Sequence, residues 1–248
     1  MRLITLNLWG GRLLNEILRF VGEYRDDTDI FCFQEVFQGG ASRPRKYGGA
    51  VPTLYAELGR ALPGFNGMLT DVYSSFGLRL AMFASENVDL ADGGSIDLVG
   101  QKRVRLDGKL SKYSLGSKLQ WAEIKRGRKS LVVAQTHGFW VQASKVDTPE
   151  RIEQSERIME FLGSKKGEKV LCGDFNLEPG TESVRIVEGR MRNLVKEYGI
   201  TGTRSSHSPK EKGDFSDYVF VSKGVKPNGF RAMPEEVSDH LALELDFD

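Results

Sequence analysis

The sequence predicts an α/β (α+β) fold made of two packed sheets with helices on their outer faces. Stretches with the period of a strand and stretches with the period of a helix alternate along the 248 residues. Strand-like stretches outnumber helical ones, so a single parallel sheet with a helix on every crossover accounts poorly for the pattern. No internal repeat, low-complexity tract or linker rich in Ser, Gly and Pro divides the chain, and residues 1–248 are therefore expected to form one domain.

The individual elements follow from the spacing of the apolar residues. Strands are predicted at 2–8, 29–34, 78–85, 118–125, 129–137, 169–173, 217–222 and 241–247. Helices are predicted at 13–24, 51–62 and 149–162. The stretch Lys-Arg-Gly-Arg at 125–128 is typical of a hairpin turn between two of these strands.

The third predicted helix has the clearest boundaries. Thr148 is a good N-cap residue, Pro149 suits the first helical position, and Gly163 is expected just beyond the last turn. Arg151 and Gln154 lie near the start of this helix. They could favour a bound anion there, or they could form its solvated face.

Composition limits the kind of protein. The 35 Lys and Arg residues against 34 Asp and Glu give a net charge of +1, which argues against a strongly basic, indiscriminate nucleic-acid binder but permits a local basic groove. Cys32 and Cys172 lie in apolar strand-like stretches, which predicts buried thiols in a reducing compartment. There is no signal-peptide pattern, and no apolar run approaches the ~18 residues of a membrane helix. We therefore expect a cytoplasmic protein without a membrane span.

Carboxylate, amide and imidazole side chains stand at the ends of several predicted strands. They are Asn7, Glu35, His137, Asp174, Asn176, Asp217, Asp239 and His240. Hydrolysis of a phosphodiester needs neutralised charge on the non-bridging oxygens, an activated water and help for the leaving oxygen. Because oxygen ligands prevail and no cysteines or histidines occur at zinc spacing, the set favours Mg²⁺ or Mn²⁺ as the cofactor.

Each of these residues alone also has a purely structural explanation. Asp174 follows a glycine and could be a turn residue, Asn7 could bind neighbouring backbone groups, and His137 could be a hydrogen-bonded core histidine. Their joint occurrence is what favours a site.

The order of the motifs adds a resemblance. TLNLWG, FQEV, TH, GDFN, DYVFV and SDH follow one another between residues 5 and 240. In this order they resemble the endonuclease/exonuclease/phosphatase superfamily, and the resemblance covers nearly the whole chain. It implies the deoxyribonuclease I-like fold, a four-layer α-β-β-α sandwich of two mixed sheets with helices outside.

The resemblance also implies roles for the residues that match the motifs. Glu35 would be the principal metal ligand, with Asn7 and Asp239 completing or bordering the metal site. Asp174 would orient or deprotonate the attacking water, and Asn176 would hold the phosphate. The number of metal ions and the identity of the general base are left open.

Two histidines complete the implied machinery. His240 would donate a hydrogen bond to a phosphate oxygen, and Asp217 would fix its ring and favour its charged form. His137 would protonate the leaving group or hold the phosphate from the other side, with Asp71 expected to orient it.

Residues beside the motifs could contact substrate. Arg43, Arg45 and Lys46 lie in a glycine-bounded loop that could follow a phosphate backbone or be simply solvated. Trp9 and Trp140 could stack a base or pack in the core.

The substrate class follows less directly. The abasic-endonuclease branch of the superfamily usually carries a pattern like N-x-Y-x-P-N at the point where this sequence has AQTHGFWVQ. This departure argues against a role in abasic-site repair. We predict a Mg²⁺- or Mn²⁺-dependent phosphodiesterase, acting as a nuclease on DNA or RNA and working as a monomer without an obligate protein partner. One alternative is a phosphohydrolase of a small-molecule or lipid-headgroup phosphoester, which a narrow closed pocket would favour. Another is a catalytically silent protein that binds metal and phosphate.

Overall fold

The computed structural model describes residues 1–39, 48–106, 109–111, 114–127, 129–142, 144–209 and 213–248. The strands are β1 (Arg2–Asn7), β2 (Ile30–Val36), β3 (Phe65–Leu69), β4 (Arg79–Ser85), β5 (Leu90–Val99), β6 (Arg105–Leu106), β7 (Lys109–Leu110), β8 (Ser114–Leu115), β9 (Ser117–Arg126), β10 (Lys129–His137), β11 (Trp140–Val141), β12 (Glu168–Asp174), β13 (Arg192–Asn193), β14 (Asp217–Val221), β15 (Pro227–Ala232) and β16 (Leu243–Phe247). The α-helices are α1 (Leu14–Tyr24), α2 (Leu54–Ala61), α3 (Pro149–Ser164), α4 (Glu182–Glu188) and α5 (Leu194–Glu197).

Two six-stranded mixed sheets form the centre of the molecule. Their spatial orders are β15-β16-β1-β2-β4-β3 and β13-β14-β12-β10-β9-β5. Each sheet contains one parallel pair near its middle, β1 with β2 in the first and β10 with β12 in the second. The sheets pack against each other with helices outside, so the predicted sandwich is confirmed.

Apolar burial explains why these elements form. All seven residues of β2 are buried, as expected of a central strand covered on both faces. The core between the sheets includes Cys32, Val133 and Cys172. Helix α1 buries Ile17, Phe20 and Val21, and this i, i+3, i+4 spacing places one apolar stripe against the outer face of the first sheet.

All eight predicted strands and all three predicted helices are present. Thr148 caps α3 as predicted, because its side chain accepts a hydrogen bond from the backbone N–H of Arg151. The prediction that Gly163 lies beyond the helix was wrong: α3 runs through it to Ser164, and Gly163 does not have the positive φ of a left-handed cap. Among the described strands, β3, β5, β15 and the two-residue strands β6, β7, β8, β11 and β13 were not predicted. Strand β5, for example, carries Gly93 and Gly94 and is largely exposed, so it lacks an apolar pattern.

The structure bears on two further expectations. Cys32 and Cys172 are both buried and neither forms a disulfide, as predicted. Among the described residues, no helix combines the length and the apolar character needed to cross a membrane.

Candidate active site

The predicted site residues meet at one end of the sandwich, where the two parallel pairs have their carboxyl ends. Asn7 ends β1 and Glu35 lies next to the end of β2. In the second sheet His137 stands opposite Asp174 in parallel register, and Asp174 stands opposite Asp217 in antiparallel register. The strand pairing therefore brings together residues that are far apart in sequence.

Glycines allow the backbones to approach closely at this end. A Cβ at Gly173, where φ is +120°, would lie 2.2 Å from the carbonyl oxygen of Thr136 on the adjacent strand. A Cβ at Gly138 would lie 2.2 Å from the carbonyl oxygen of Phe175. Both contacts are impossible for any other residue without a backbone shift, so these two glycines fix the positions of Asp174 and His137 beside them.

Asp174 is held through both carboxylate oxygens. Its Oδ2 accepts a hydrogen bond from the Asn7 amide at 2.9 Å, and its Oδ1 accepts from the Ser216 hydroxyl at 2.8 Å and from the Asn176 backbone at 2.8 Å. Burial works against the charged form, but the bond to the His137 imidazole and the Arg204 guanidinium hold the pKa of Asp174 well below its usual value. Asp174 is thus a fixed carboxylate.

His137 faces two carboxylates. Its Nε2 lies 3.5 Å from Oδ2 of Asp174 and 3.6 Å from Oε1 of Glu35. Burial disfavours the charged ring, but these carboxylates outweigh it and raise the pKa of His137. The other ring nitrogen, Nδ1, contacts the hydroxyl of Tyr73 at 2.8 Å. The expectation that Asp71 orients His137 was therefore wrong, since Asp71 is exposed and Tyr73 takes that position.

His240 contacts Asp217 as the sequence predicts. Its Nδ1 lies 2.8 Å from Oδ2 of Asp217, which also accepts a hydrogen bond from the Thr203 hydroxyl at 3.0 Å. The charge state differs from the prediction, because burial and the adjacent Arg204 guanidinium lower the pKa of His240 to about 4. The ring is therefore uncharged at neutral pH, and Nε2 lies 2.6 Å from Nη1 of Arg204.

The two amides also have partners. Asn7 donates to Asp174, and its side-chain oxygen accepts from the Trp9 backbone N–H at 2.9 Å. Asn7 therefore both orients Asp174 and shapes the turn after β1, while its part in metal binding stays a prediction. Asn176 donates to the carbonyl of Gly138 at 3.2 Å, which holds its amide beside His137.

The donor set fits a hard divalent cation. Glu35 and Asp239 are both buried carboxylates, and they line the same cavity as Asp174 and His240. A second possible group is Asp174, Asp217 and His240, whose ligand atoms lie within 4.8 Å of one another. In that group His240 and Asp217 already bind each other, and in the predicted set Asp239 pairs with Arg204 at 3.1 Å, so a metal site at Glu35, Asp239 and Asn7 stays a prediction.

A cavity of about 190 Å³ opens above these residues. Its floor holds Glu35, Asp174, Asn176, Asp239 and His240, and Arg204 lies at its side. Its walls are apolar: Trp9, Phe76, Leu115 and Trp140. The polar atoms thus converge at the bottom of an aromatic pocket, which is the usual construction of a ligand site.

Backbone strain is concentrated in the same place. Among the described residues, the non-glycine residues with positive φ are Trp9 at 50°, Glu35 at 59° and Asn176 at 55°. All three line the cavity. Left-handed backbone is unfavourable for such side chains and is retained mainly where function requires it.

Some predicted contacts are absent or untested. Arg43, Arg45 and Lys46 lie outside the described residues. Arg151 and Gln154 do not face solvent: both are fully buried and bind the backbone after β10. Gln154 accepts from the Phe139 N–H at 2.6 Å, and Arg151 donates to the carbonyls of Phe139 and Ser144 at 3.1 and 2.8 Å.

The sequence did not point to Tyr73, Phe76, Leu115 or Arg204. Tyr73 is 64 residues from its partner His137, and Arg204 is 36 residues from His240. Neither stands at the end of a predicted strand, so no local pattern identified them.

Solved structures share this fold. The mannosyl-6-phosphatase of Bacteroides thetaiotaomicron VPI-5482 is 18% identical, with 100% of this chain and 99% of that chain covered and a TM-score of 0.70. D. rerio TDP2 complexed with a single strand DNA product is 14% identical, with 100% and 98% covered and a TM-score of 0.71. The human Nocturnin catalytic domain with bound sulfate anion is 20% identical, with 100% and 93% covered and a TM-score of 0.65.

No curated protein matches the sequence at a significant level. The sequence pattern of one family, by contrast, matches residues 4–240, nearly the whole chain. The motifs, the two mixed sheets and the position of the site agree with that match. The chain belongs to the Endonuclease/Exonuclease/phosphatase family.

Proposed function

We propose that this chain is a Mg²⁺- or Mn²⁺-dependent phosphodiesterase whose substrate is a nucleic acid. The observation that carries the proposal is the convergence of Glu35, Asp174, Asp239 and His240 at one cavity, at the carboxyl ends of both parallel pairs. His137 contacts Glu35 and Asp174 from behind them. Buried carboxylates are costly unless a cation or hydrogen bonds compensate them. A divalent ion held by Glu35 and Asp239, with Asn7 beside it, would neutralise negative charge on the phosphate oxygens.

Asp174 is the proposed residue that positions the attacking water. Hydrogen bonds to both oxygens fix its carboxylate, and its depressed pKa keeps it ionised. A carboxylate with so low a pKa is a weak proton acceptor, so orientation of the water is a better role for it than deprotonation.

His137 is the proposed proton donor to the leaving oxygen. Its raised pKa favours the protonated ring, and Tyr73 holds the ring so that Nε2 faces the carboxylates of the site. Asn176, whose amide lies beside that nitrogen, is suited to hold a phosphate oxygen. Donation from His240 to the phosphate stays a prediction that requires its ring to gain a proton.

The aromatic walls support a nucleic-acid substrate. Trp9, Phe76 and Trp140 border the catalytic floor, and each ring offers a face on which a base can stack, at roughly 1–3 kcal/mol per base. One of the similar structures, D. rerio TDP2, is a complex with a single strand DNA product.

A small phosphoester is the second candidate. The cavity is small, at about 190 Å³, and its walls would also contact a sugar ring. A mannosyl-6-phosphatase is among the proteins with the same fold. Lipid headgroups belong to this candidate class as well.

A substrate panel tests the proposal. Single-stranded DNA, duplex DNA, an abasic duplex, RNA and small phosphoesters are incubated with Mg²⁺, Mn²⁺ or EDTA. Metal-dependent cleavage of a nucleic acid is expected. Turnover of small phosphoesters alone would show that the substrate belongs to the second candidate class. No turnover of any member of the panel would contradict the proposal.

A monomer in the cytoplasm is proposed as the working form. The buried thiols of Cys32 and Cys172, neither of them in a disulfide, support a reducing compartment. Light scattering of the purified chain measures the oligomeric state, and a dimer would contradict this part of the proposal.

A further inference from the structure

Arg204 is a cationic side chain at the cavity that neither the motifs nor the comparisons assign. It lies on the segment before β14, which binds the loop before β16 through a bridge between Arg204 and His240. Two backbone hydrogen bonds flank that bridge, from Leu241 to Thr203 at 2.9 Å and from Ser205 to Asp239 at 3.3 Å. The backbone therefore holds Arg204 in place at the side of the catalytic floor.

The guanidinium is buried but incompletely bonded. Only 8% of the side chain is exposed. Nη1 donates to Oδ2 of Asp239 at 3.1 Å and lies 2.6 Å from Nε2 of His240. Nε is buried and has no hydrogen-bond partner among the described residues.

A buried guanidinium with an unused donor is costly in a cavity. Arginine carries five N–H donors, and each donor that burial removes from water needs an acceptor. Arg151 shows the satisfied alternative, since its Nε, Nη1 and Nη2 donate to the carbonyls of Phe139, Val146 and Ser144. Arg204, in contrast, lines a cavity, and among the described residues its hydrogen bonds all involve Nη1, so the edge formed by Nε and Nη2 is left for further acceptors.

The chemistry of that acceptor follows from the geometry. A planar guanidinium can bind two oxygens of one phosphate through two parallel hydrogen bonds. The Asp239 carboxylate and the His240 imidazole, which both contact Nη1, do not use the whole of this donor set. Arg204 and Asp174 both line the cavity, so a phosphate bound beside the proposed water would lie within reach of the guanidinium.

We propose that Arg204 is a substrate-binding residue whose guanidinium binds the non-bridging oxygens of the scissile phosphate. The inference rests on the proposed function, because it assumes that the cavity takes a phosphoester. The phosphate is the shared chemistry of a nucleic acid and a small ester, and the test separates these two sources.

Isothermal titration with inorganic phosphate at saturating Mg²⁺ is the test. The variants are Arg204→Gln, which removes the charge, and Arg204→Lys, which keeps the charge and loses the fork. Arg231→Gln is the matched control, since Arg231 pairs with Glu244 at 3.0 and 3.2 Å but is largely exposed on β15.

The parent and the control are expected to bind phosphate equally. Arg204→Gln is expected to weaken binding roughly tenfold or more, with Arg204→Lys between the two, as for the loss of charge-assisted hydrogen bonds. In kinetics with a single-stranded oligonucleotide and with bis(p-nitrophenyl) phosphate, KM should rise more than kcat falls. The substrate whose KM rises more in Arg204→Gln, the oligonucleotide or the small diester, identifies the class of phosphoester that Arg204 binds.

Three results would overturn the proposal. They are parent-like phosphate affinity of Arg204→Gln with Mg²⁺ affinity and Tm also unchanged, parent-like phosphate affinity with a lower Mg²⁺ affinity or Tm, and no phosphate binding by the parent. The second result would assign Arg204 to support of Asp239 instead. Phosphate binding needs no turnover, so failure here is distinguishable from failure of the proposed function.

Discussion

The two ends of the sandwich each contain a cavity, and the candidate catalytic residues line the smaller one. At the starts of the strands a cavity of about 460 Å³ is bordered by Arg126, Glu168 and Lys226, among others. At the carboxyl ends the cavity is about 190 Å³ and its floor consists of buried carboxylates, an imidazole and an amide. The volume of a cavity therefore does not identify the candidate active site here. The buried charged side chains that line the smaller cavity do.

The two ends also differ in backbone strain and in how their glutamates are bonded. Glu35 has a left-handed backbone and faces His137. Glu168 has ordinary strand geometry and accepts hydrogen bonds from Ser222 and from the Gly224 backbone, as a structural side chain does. Left-handed backbone at Glu35 and regular hydrogen bonding at Glu168 indicate that the cavity at the carboxyl ends is the one where an unfavourable conformation is retained for function.

The first way to test this comparison is Glu35→Gln. The amide has the same shape but lacks the charge that binds a divalent ion, so kcat should fall by roughly 10³-fold at a given Mg²⁺ concentration. Titration calorimetry with Mg²⁺ should show a parallel loss of affinity. Parent-like affinity for Mg²⁺ in this variant would remove Glu35 from the metal site.

A smaller effect is expected for Asp217→Ala. The ring of His240 loses its carboxylate partner, and kcat should fall by about 10²-fold. Because Nδ1 then has no carboxyl group to hold the ring, the limb of the pH–rate profile due to His240 should shift. Asp217→Asn, which keeps an acceptor for Nδ1, is the control and should recover part of the rate. A pH profile identical to that of the parent would separate Asp217 from His240.

Tyr73→Phe should act more weakly still. The variant keeps the ring packing but removes the hydroxyl that contacts Nδ1 of His137, and a loss of roughly tenfold in kcat is expected from poorer orientation of the imidazole. Steady-state kinetics measure it, with thermal unfolding as the control for folding. An effect on KM alone would assign Tyr73 to substrate binding and not to His137.

The smallest effect on activity is expected for Glu168→Gln, the counterpart of Glu35→Gln at the other end. The variant should turn over substrate at the parent rate, while the loss of two charge-assisted hydrogen bonds lowers the free energy of unfolding by about 1 kcal/mol. Urea unfolding and steady-state kinetics on the same preparation test both parts. A large loss of kcat here would erase the contrast between the two ends.

How much the sequence predicted depended on burial and on distance along the chain. Strands such as β2 and β10 are covered by the core, so their apolar pattern was readable; β5 is an exposed edge and was missed. The site residues at strand ends were predictable because each motif places them locally. Arg204 and Tyr73 were not, since their contacts arise only when distant segments pack together.

Arg151, a buried residue of helix α3, also shows that contacts between distant segments could not be predicted from the sequence. Arg151 near the start of α3 could have bound an anion or faced solvent by sequence alone. It is instead fully buried and binds carbonyls of the segment that carries Trp140 into the cavity wall. Sequence patterns identify amphipathic helices well, but they do not show which backbone carbonyls lie opposite a polar residue.

The most direct test of the central claim is the rate of bis(p-nitrophenyl) phosphate hydrolysis as a function of Mg²⁺ for the parent and for Asp174→Asn. The parent rate is expected to rise with Mg²⁺ to saturation and to vanish in EDTA. The variant is expected to be slower by roughly 10³-fold or more while it remains folded, which thermal unfolding checks. A parent rate that is unchanged in EDTA, or a variant as fast as the parent, would contradict a metal-dependent phosphoesterase site at the carboxyl ends of the parallel strands.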